Sequence, residues 1–346
     1  MQRVVIDADQ STIYRNRAAA PTGPGPTGPA DFGVDSALNS RRGPDGFGTI
    51  SDMPWRITDS LDEFEDAAGR FLAADPVRNT QLLTIPATLR RRGMNAFGDG
   101  RPRFGWFARS GAGLAARDVA AGVQAAFVQT PPHPVLISTA PPRSAAALAT
   151  DLSGLETPIS GINGPLRVAE SFAKAWCTRT GARQVLSLRL RLYQLEHLRD
   201  PEPAPPGSAR VAIASDRELV LRWYNEFADE MDDSVTTGRQ TPPVDDQIAR
   251  GGIILWEADG TPTSLALFSL PAFGVSRIGP VYTPPSARRQ GYAAAVSAAA
   301  CRAASGTGAT EVCLLTDLDN PTSNSVYQRI GFRPVEDRVL LSFEGV

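Results

Sequence analysis

The chain has 346 residues, 42% hydrophobic and 21% charged, with a net charge of −2. Such a balance excludes a global field that would draw the protein to nucleic acid or an anionic membrane, while the length leaves room for two domains. Three widely spaced cysteines (Cys177, Cys301, Cys313) and two separated histidines (His133, His197) argue against a disulfide framework, a metal site and a Ser/His/Asp triad. No apolar run reaches the roughly 18–20 residues of a membrane helix, and MQRVVIDADQ lacks the layout of a signal peptide. The expectation is a cytoplasmic monomer or homodimer with no metal, nucleic-acid or membrane partner.

In chain order, residues 1–52 come first. PTGPGPTGPADFG (21–33) and RRGPDGFG (41–48) are rich in proline and glycine. Such a stretch buries too little apolar surface to offset its ordering entropy, so disorder is expected over 1–52, with Met53 as a possible true start. SLDEFEDAAGRFLAAD (60–75) has helical spacing with Ser60 as N-cap. RFGWFAR, GVQAAFVQT and PVLIST predict strands, and 163–181 predicts a helix ending at Gly181. In RQVLSLRLRLYQL (183–195) leucines alternate with Ser187, Arg189 and Arg191, the period of a half-buried strand.

RDPEPAPPGS (199–208) holds four prolines in ten residues and reads as a semi-rigid linker between domains 53–198 and 209–346. Beyond it, ARVAIA predicts a strand, 215–231 a helix capped by Ser215 or Asp216, and PVDDQIARGG a short helix. GIILWEADGTPTSLALFSL (252–270) predicts a hairpin turning at Asp259-Gly260. SRIGPVYTPP predicts a strand and YAAAVSAAACRAASGTG an alanine-rich helix. TEVCLLTDL, PTSNSVYQRIG and RVLLSFEG complete the order β-α-α-β-β-β-α-β-α-β.

The loop SARRQGYA (286–293) joins the strand to the alanine-rich helix. A glycine there permits close backbone approach, and free N–H groups at a helix start attract phosphate-like anions. Arg288, Gly291 and Ala293 stand in an R-x-x-G-x-A spacing, and Asn320, Tyr327, Gly331 and Phe332 in NPTSNSVYQRIGF stand in N-x-x-A-x-x-x-Y-x-x-x-G-F spacing, with Ser323 at the alanine position. Together, over 209–346, these resemble the two signatures of the GNAT acetyl-CoA-dependent N-acetyltransferase superfamily; Thr283 stands where that family usually has valine.

The resemblance implies an α/β (α+β) fold: a mixed, mostly antiparallel sheet flanked by helices. It implies acetyl-CoA as co-substrate and direct acetyl transfer to an amine acceptor, expected to be a small molecule. Arg288, Arg289, Gln290, Gly291, Tyr292 and Ala293 would hold the pyrophosphate. Val281 and Thr283 would pair with the pantetheine arm, which Asn320 would also bond. The arm's thioester would sit in a V between the strand 278–283 and the next, and Tyr327 would protonate the departing thiolate. The general base is not legible: Asp317 is the leading candidate, with Glu257, Glu226 and Asp229 behind it. Cys313, in an apolar strand, reads as inert core.

LISTAPPRSAAALATDL (136–152) echoes GPVYTPPSARRQGYAAAVSAAA but lacks the R-x-x-G-x-A loop. The chain therefore resembles a tandem of two GNAT-like domains with a degenerate first half. The alternatives are a non-catalytic acyl-CoA sensor, a transferase of a larger acyl group, or a protein, thiol or hydroxyl acceptor. Acceptor specificity is expected in the first half and around 232–245.

Overall fold

A computed structural model describes residues 55–108, 122–155, 159–231 and 244–345. The expected disorder of 1–52, the start at Met53 and most of the segment 232–245 lie outside these residues.

The N-terminal half runs β1 (Arg56–Thr58), α1 (Leu61–Ala73), α2 (Thr80–Arg92), β2 (Arg103–Ala108), β3 (Val123–Gln129), β4 (Val135–Ile137), α3 (Pro142–Ser153), β5 (Gly161–Pro165), α4 (Leu166–Thr180) and β6 (Arg183–Leu195). The C-terminal half repeats that order with β7 (Ser208–Val211), α5 (Arg217–Met231), α6 (Val244–Ala249), β8 (Ile253–Ala258), β9 (Thr261–Phe268), β10 (Val275–Tyr282), α7 (Tyr292–Gly306), β11 (Glu311–Asp317), α8 (Pro321–Arg329) and β12 (Phe332–Glu344). Local signals account for many boundaries. The Ser60 side chain accepts the Glu63 N–H at 3.2 Å as N-cap of α1. Asp259 and Gly260, at φ +49° and +72°, make the β8–β9 turn.

Among the described residues, the strands form one twelve-stranded sheet in the order β1-β2-β3-β4-β5-β12-β6-β11-β10-β9-β8-β7. Pairing is antiparallel except for β4 with β5 and β10 with β11. The last strand of each half is exchanged: β6 inserts between β11 and β12, and β12 between β5 and β6. The proline-rich segment thus joins two halves of one continuous sheet.

The strands' period of two sends side chains to opposite layers. On one face, α3 and α4 pack on Ala125, Phe127, Ile137 and Val339, and α7 and α8 pack on Ile254, Phe268, Ile278 and Leu314. On the other, α1 and α2 cover Phe104, Trp106 and Val128, while α5 and α6 cover Leu255, Leu265, Leu267 and Tyr282. Val77, between α1 and α2, seals a central cluster of Leu188, Leu190, Leu192, Val275, Cys313, Leu315 and Leu340. The alternation read in β6 holds here: Leu188, Leu190 and Leu192 are buried, while Leu186 is exposed beyond their cluster.

Strand β5 and helix α2 were not legible in the sequence. Residues 163–165 belong to β5 rather than to the helix predicted from 163, which begins at Leu166. GINGP has weak strand propensity, but a Cβ at Gly161 would collide with the Leu341 carbonyl, and one at Gly164 would approach Ile137 Cγ2 to 2.5 Å. The glycines admit neighbours that only the folded chain supplies. Helix α2 forms despite Pro86 in its interior because its apolar side chains, Leu82, Leu83, Ile85 and Leu89, are buried.

Candidate active site

Strands β10 and β11 run parallel only from Val275 opposite Glu311 to Arg277 opposite Cys313, then part. On its other edge β10 carries one extra residue against β9: Ile278 faces Phe268, but the next partners are Val281 and Ala266. This bulge surrounds Gly279, at φ +135°, a conformation natural to glycine. The result is a V whose arms are Ile278–Tyr282 and Leu314–Asp317, with one edge of β10 released from pairing.

Beyond Tyr282 a short turn at Pro285–Ala287 leads to Arg289 and Gly291, at φ +64° and +87°, and Gly291 caps α7. The first backbone bond into the helix runs from Ala295 N–H to the Gly291 carbonyl at 3.1 Å. The N–H groups of Tyr292, Ala293 and Ala294 precede it and point out of the helix end. A Cβ at Gly291 would find Pro205 at 3.6 Å as its nearest neighbour, so the proline-rich segment flanks this loop. Arg289, Gln290 and Gly291 are exposed, whereas Tyr292 is buried. Arg288 is turned back onto the protein: Nε donates to the Thr283 carbonyl at 2.8 Å, the guanidinium pairs with Glu230, and it lies 5.8 Å from the centre of the Tyr282 ring. The backbone therefore carries most of this loop's anion-binding capacity.

Asn320 is the N-cap of α8; its Oδ1 accepts the Ser323 N–H at 3.2 Å. Tyr327 is buried on the next turns, its ring 6.0 Å from Phe332 in an edge arrangement. Its hydroxyl has no hydrogen-bond partner among the described residues, and burial, with Cys301 nearby on α7, raises its pKa above the ordinary tyrosine range. The Cys301 and Cys313 thiols are pushed by burial to about 12 and about 11. Both are thus held as inert thiols.

The carboxylate candidates separate by position. Asp317 is buried at the end of β11, and its Oδ1 accepts the Asp319 N–H at 2.8 Å, closing the turn into α8. Glu257 accepts from Arg210 Nε at 2.5 Å on β8, two strands from the V. Asp229 is exposed on α5. Glu226, also on α5 but half-buried, accepts the Tyr282 hydroxyl at 3.0 Å at the end of β10. Burial first, then this bond, pushes Tyr282 up to about 12.

Sequence reasoning missed the residues contributed from the N-terminal half. Tyr193 of the exchanged strand β6 donates to Asn324 Oδ1 at 2.8 Å and accepts from Gln328 Nε2 at 3.0 Å. Thr80 of α2 bonds the Cys313 thiol. No local motif marks either residue; only the tyrosine interrupting a run of leucines in β6 offered a hint.

The N-terminal half has the corresponding parting of β4 and β5 after Leu136 and Asn163, but it is closed. Arg338 of β12 is buried, with Nη2 donating to the Ile137 carbonyl at 3.2 Å and Nη1 to Glu336 at 2.8 Å. Glu336 also accepts from Thr139 at 3.3 Å. At the start of α3, Pro141 and Pro142 occupy the cap and first positions, where they supply no N–H.

The fold and this parted pair of strands define a structural class, a mixed, mostly antiparallel sheet that splays between two parallel strands. The family model for the acetyltransferase (GNAT) family matches residues 220–332, about a third of the chain, a segment that holds both the Arg288–Ala293 loop and the Asn320–Phe332 stretch. A Drosophila protein covers 84% of this chain and 99% of its own at 13% identity, with a TM-score of 0.55. A GCN5-related N-acetyltransferase from Sphaerobacter thermophilus covers 86% and 98% at 17% identity, with a TM-score of 0.51. An acetyltransferase of the GNAT family from Colwellia psychrerythraea covers 84% and 99% at 12% identity, with a TM-score of 0.50. These similarities concern the fold, and they span both halves. No curated protein matches the sequence.

Proposed function

We propose that the protein is an acetyl-CoA-dependent N-acetyltransferase whose working site is the V of the C-terminal half, with a small amine as acceptor. The observation that carries this reading is the coincidence, on one strand, of a released backbone edge at Ile278–Tyr282 and a glycine-capped helix start at its far end. The first suits an extended pantetheine arm, which pairs with a strand edge as an added strand would. The second suits a pyrophosphate.

In this reading the amine attacks the thioester carbonyl, whose oxygen is stabilised by backbone N–H at the bulge of β10. Collapse of the tetrahedral adduct breaks the carbon–sulfur bond, and the thiolate takes the Tyr327 proton. The raised pKa of Tyr327 keeps that proton in place at neutral pH. Glu226 is preferred over Asp317 for the amine's proton. Glu226 is half-exposed on the face that α5 covers, opposite the helices that carry Tyr327, whereas Asp317 is engaged in its turn. The first half, with Arg338 across its parted strands, acts as scaffold and as one wall of the acceptor side.

The test is calorimetric titration with acetyl-CoA, then a primary-amine panel read by CoA release and product mass. Tyr327→Phe is expected to keep acetyl-CoA affinity and lose on the order of 10²-fold in kcat; Glu226→Gln should lose a similar factor. Binding without turnover of any amine would favour a non-catalytic acyl-CoA sensor.

A further inference from the structure

We propose that Tyr193, delivered by the exchanged strand of the N-terminal half, is a positioning residue for Tyr327. The proposal rests on the reading of Tyr327 as the group facing the coenzyme's sulfur, and it explains what holds that group in aim.

Tyr193 is fully buried on β6, opposite Leu314 of β11, and packs in the same cluster as Tyr327, Ile330 and Phe332. Its hydroxyl bonds both Asn324 and Gln328, at 2.8 and 3.0 Å. These two are four apart on α8, so one hydroxyl clamps two successive turns of a single helical face. Tyr327 lies within that span. Asn324 extends the clamp, donating through Nδ2 to the carbonyls of Asp317 and Asn320 at 2.8 and 2.7 Å. One chain of bonds thus ties the end of β11, the cap of α8 and its middle to a residue of the other half.

The clamp matters because α8 has little else. It spans nine residues, and Tyr327 is its one buried side chain. A helix that short has marginal stability of its own, and among the described residues the Tyr327 hydroxyl has no hydrogen-bond partner to fix it. Its orientation is therefore set by where α8 sits on β6 and β11. The segment matched by the family model, 220–332, does not contain Tyr193, so the site is completed from outside it.

The test uses the full chain carrying 3-fluorotyrosine and ¹⁹F NMR, with coenzyme A as probe. The chain has six tyrosines, and the Tyr327 line is assigned by its disappearance in Tyr327→Phe. Coenzyme A is expected to shift that line. No shift in the unaltered protein would overturn the reading of Tyr327 itself, and with it the clamp's purpose. Given the shift, Tyr193→Phe is expected to reduce it by at least half and broaden the line, with coenzyme A affinity by calorimetry within about twofold. Gln328→Met, whose side chain is exposed, is expected to do the same to a smaller extent and keeps the test valid should Tyr193→Phe fail to fold. A full-sized, sharp shift in the folded variants would overturn the proposal while leaving the reading of Tyr327 intact.

Discussion

The Arg338 guanidinium, held by Glu336, donates to the Ile137 carbonyl at 3.2 Å across the parted strands of the N-terminal half. In the C-terminal half the corresponding carbonyl, that of Ile278, lies where β10 leaves β11. The halves share a topology, yet a side chain fills one V. Acetyl-CoA is therefore expected to bind one site per chain. Calorimetric stoichiometry checks this, and a second site of similar affinity would contradict it.

The exchange of β6 and β12 makes the C-terminal half dependent on the N-terminal one. A fragment of 209–346 lacks β6, which separates β11 from β12 and supplies Tyr193. Without it both strands present open edges and an uncovered apolar layer. The fragment is expected to be unfolded or aggregated by circular dichroism and not to bind acetyl-CoA, whereas 55–346 is expected to fold and bind. A soluble fragment with a cooperative melt would refute this.

Gly291 caps α7 at φ +87°, and a Cβ there would meet Pro205 only at the ordinary contact distance of 3.6 Å. A larger side chain meets backbone strain of about 1–2 kcal/mol rather than collision. Gly291→Ala should thus weaken acetyl-CoA modestly, while Gly291→Glu adds a carboxylate beside the phosphates and should abolish binding. Equal affinities of the two variants, by calorimetry, would show that the helix start is not the cradle.

Asp216 precedes α5 and takes three bonds: Arg210 through both terminal nitrogens at 2.7 and 2.9 Å, and the Ile213 N–H at 2.8 Å. Arg210 first, then the backbone N–H, against burial, hold its carboxyl below the ordinary aspartate range. Because the folded pKa lies below the unfolded one, the stabilisation is complete above the unfolded value and fades as pH falls through the folded one. Asp216→Asn should lose about 1–2 kcal/mol at pH 7, a deficit that shrinks towards pH 2. Urea melts of both proteins at the two pH values measure it.

Much of this molecule follows from short-range sequence. The spacing of Arg288, Gly291 and Ala293 finds the α7 loop, and the Asp259-Gly260 turn finds its hairpin, because each depends on a few adjacent φ angles and on periodicity. The leucine alternation of 183–195 identifies a strand but not its neighbours, since alternation reports which face is buried and not which strand lies alongside. The insertion of β6 between β11 and β12, the clamp of Tyr193 on α8, Arg338 across Ile137 and the pairing of Glu226 with Tyr282 were decided only by the tertiary structure. Each joins residues far apart in the chain, and no local propensity carries a signal for a partner that arrives only once both halves have closed into one sheet.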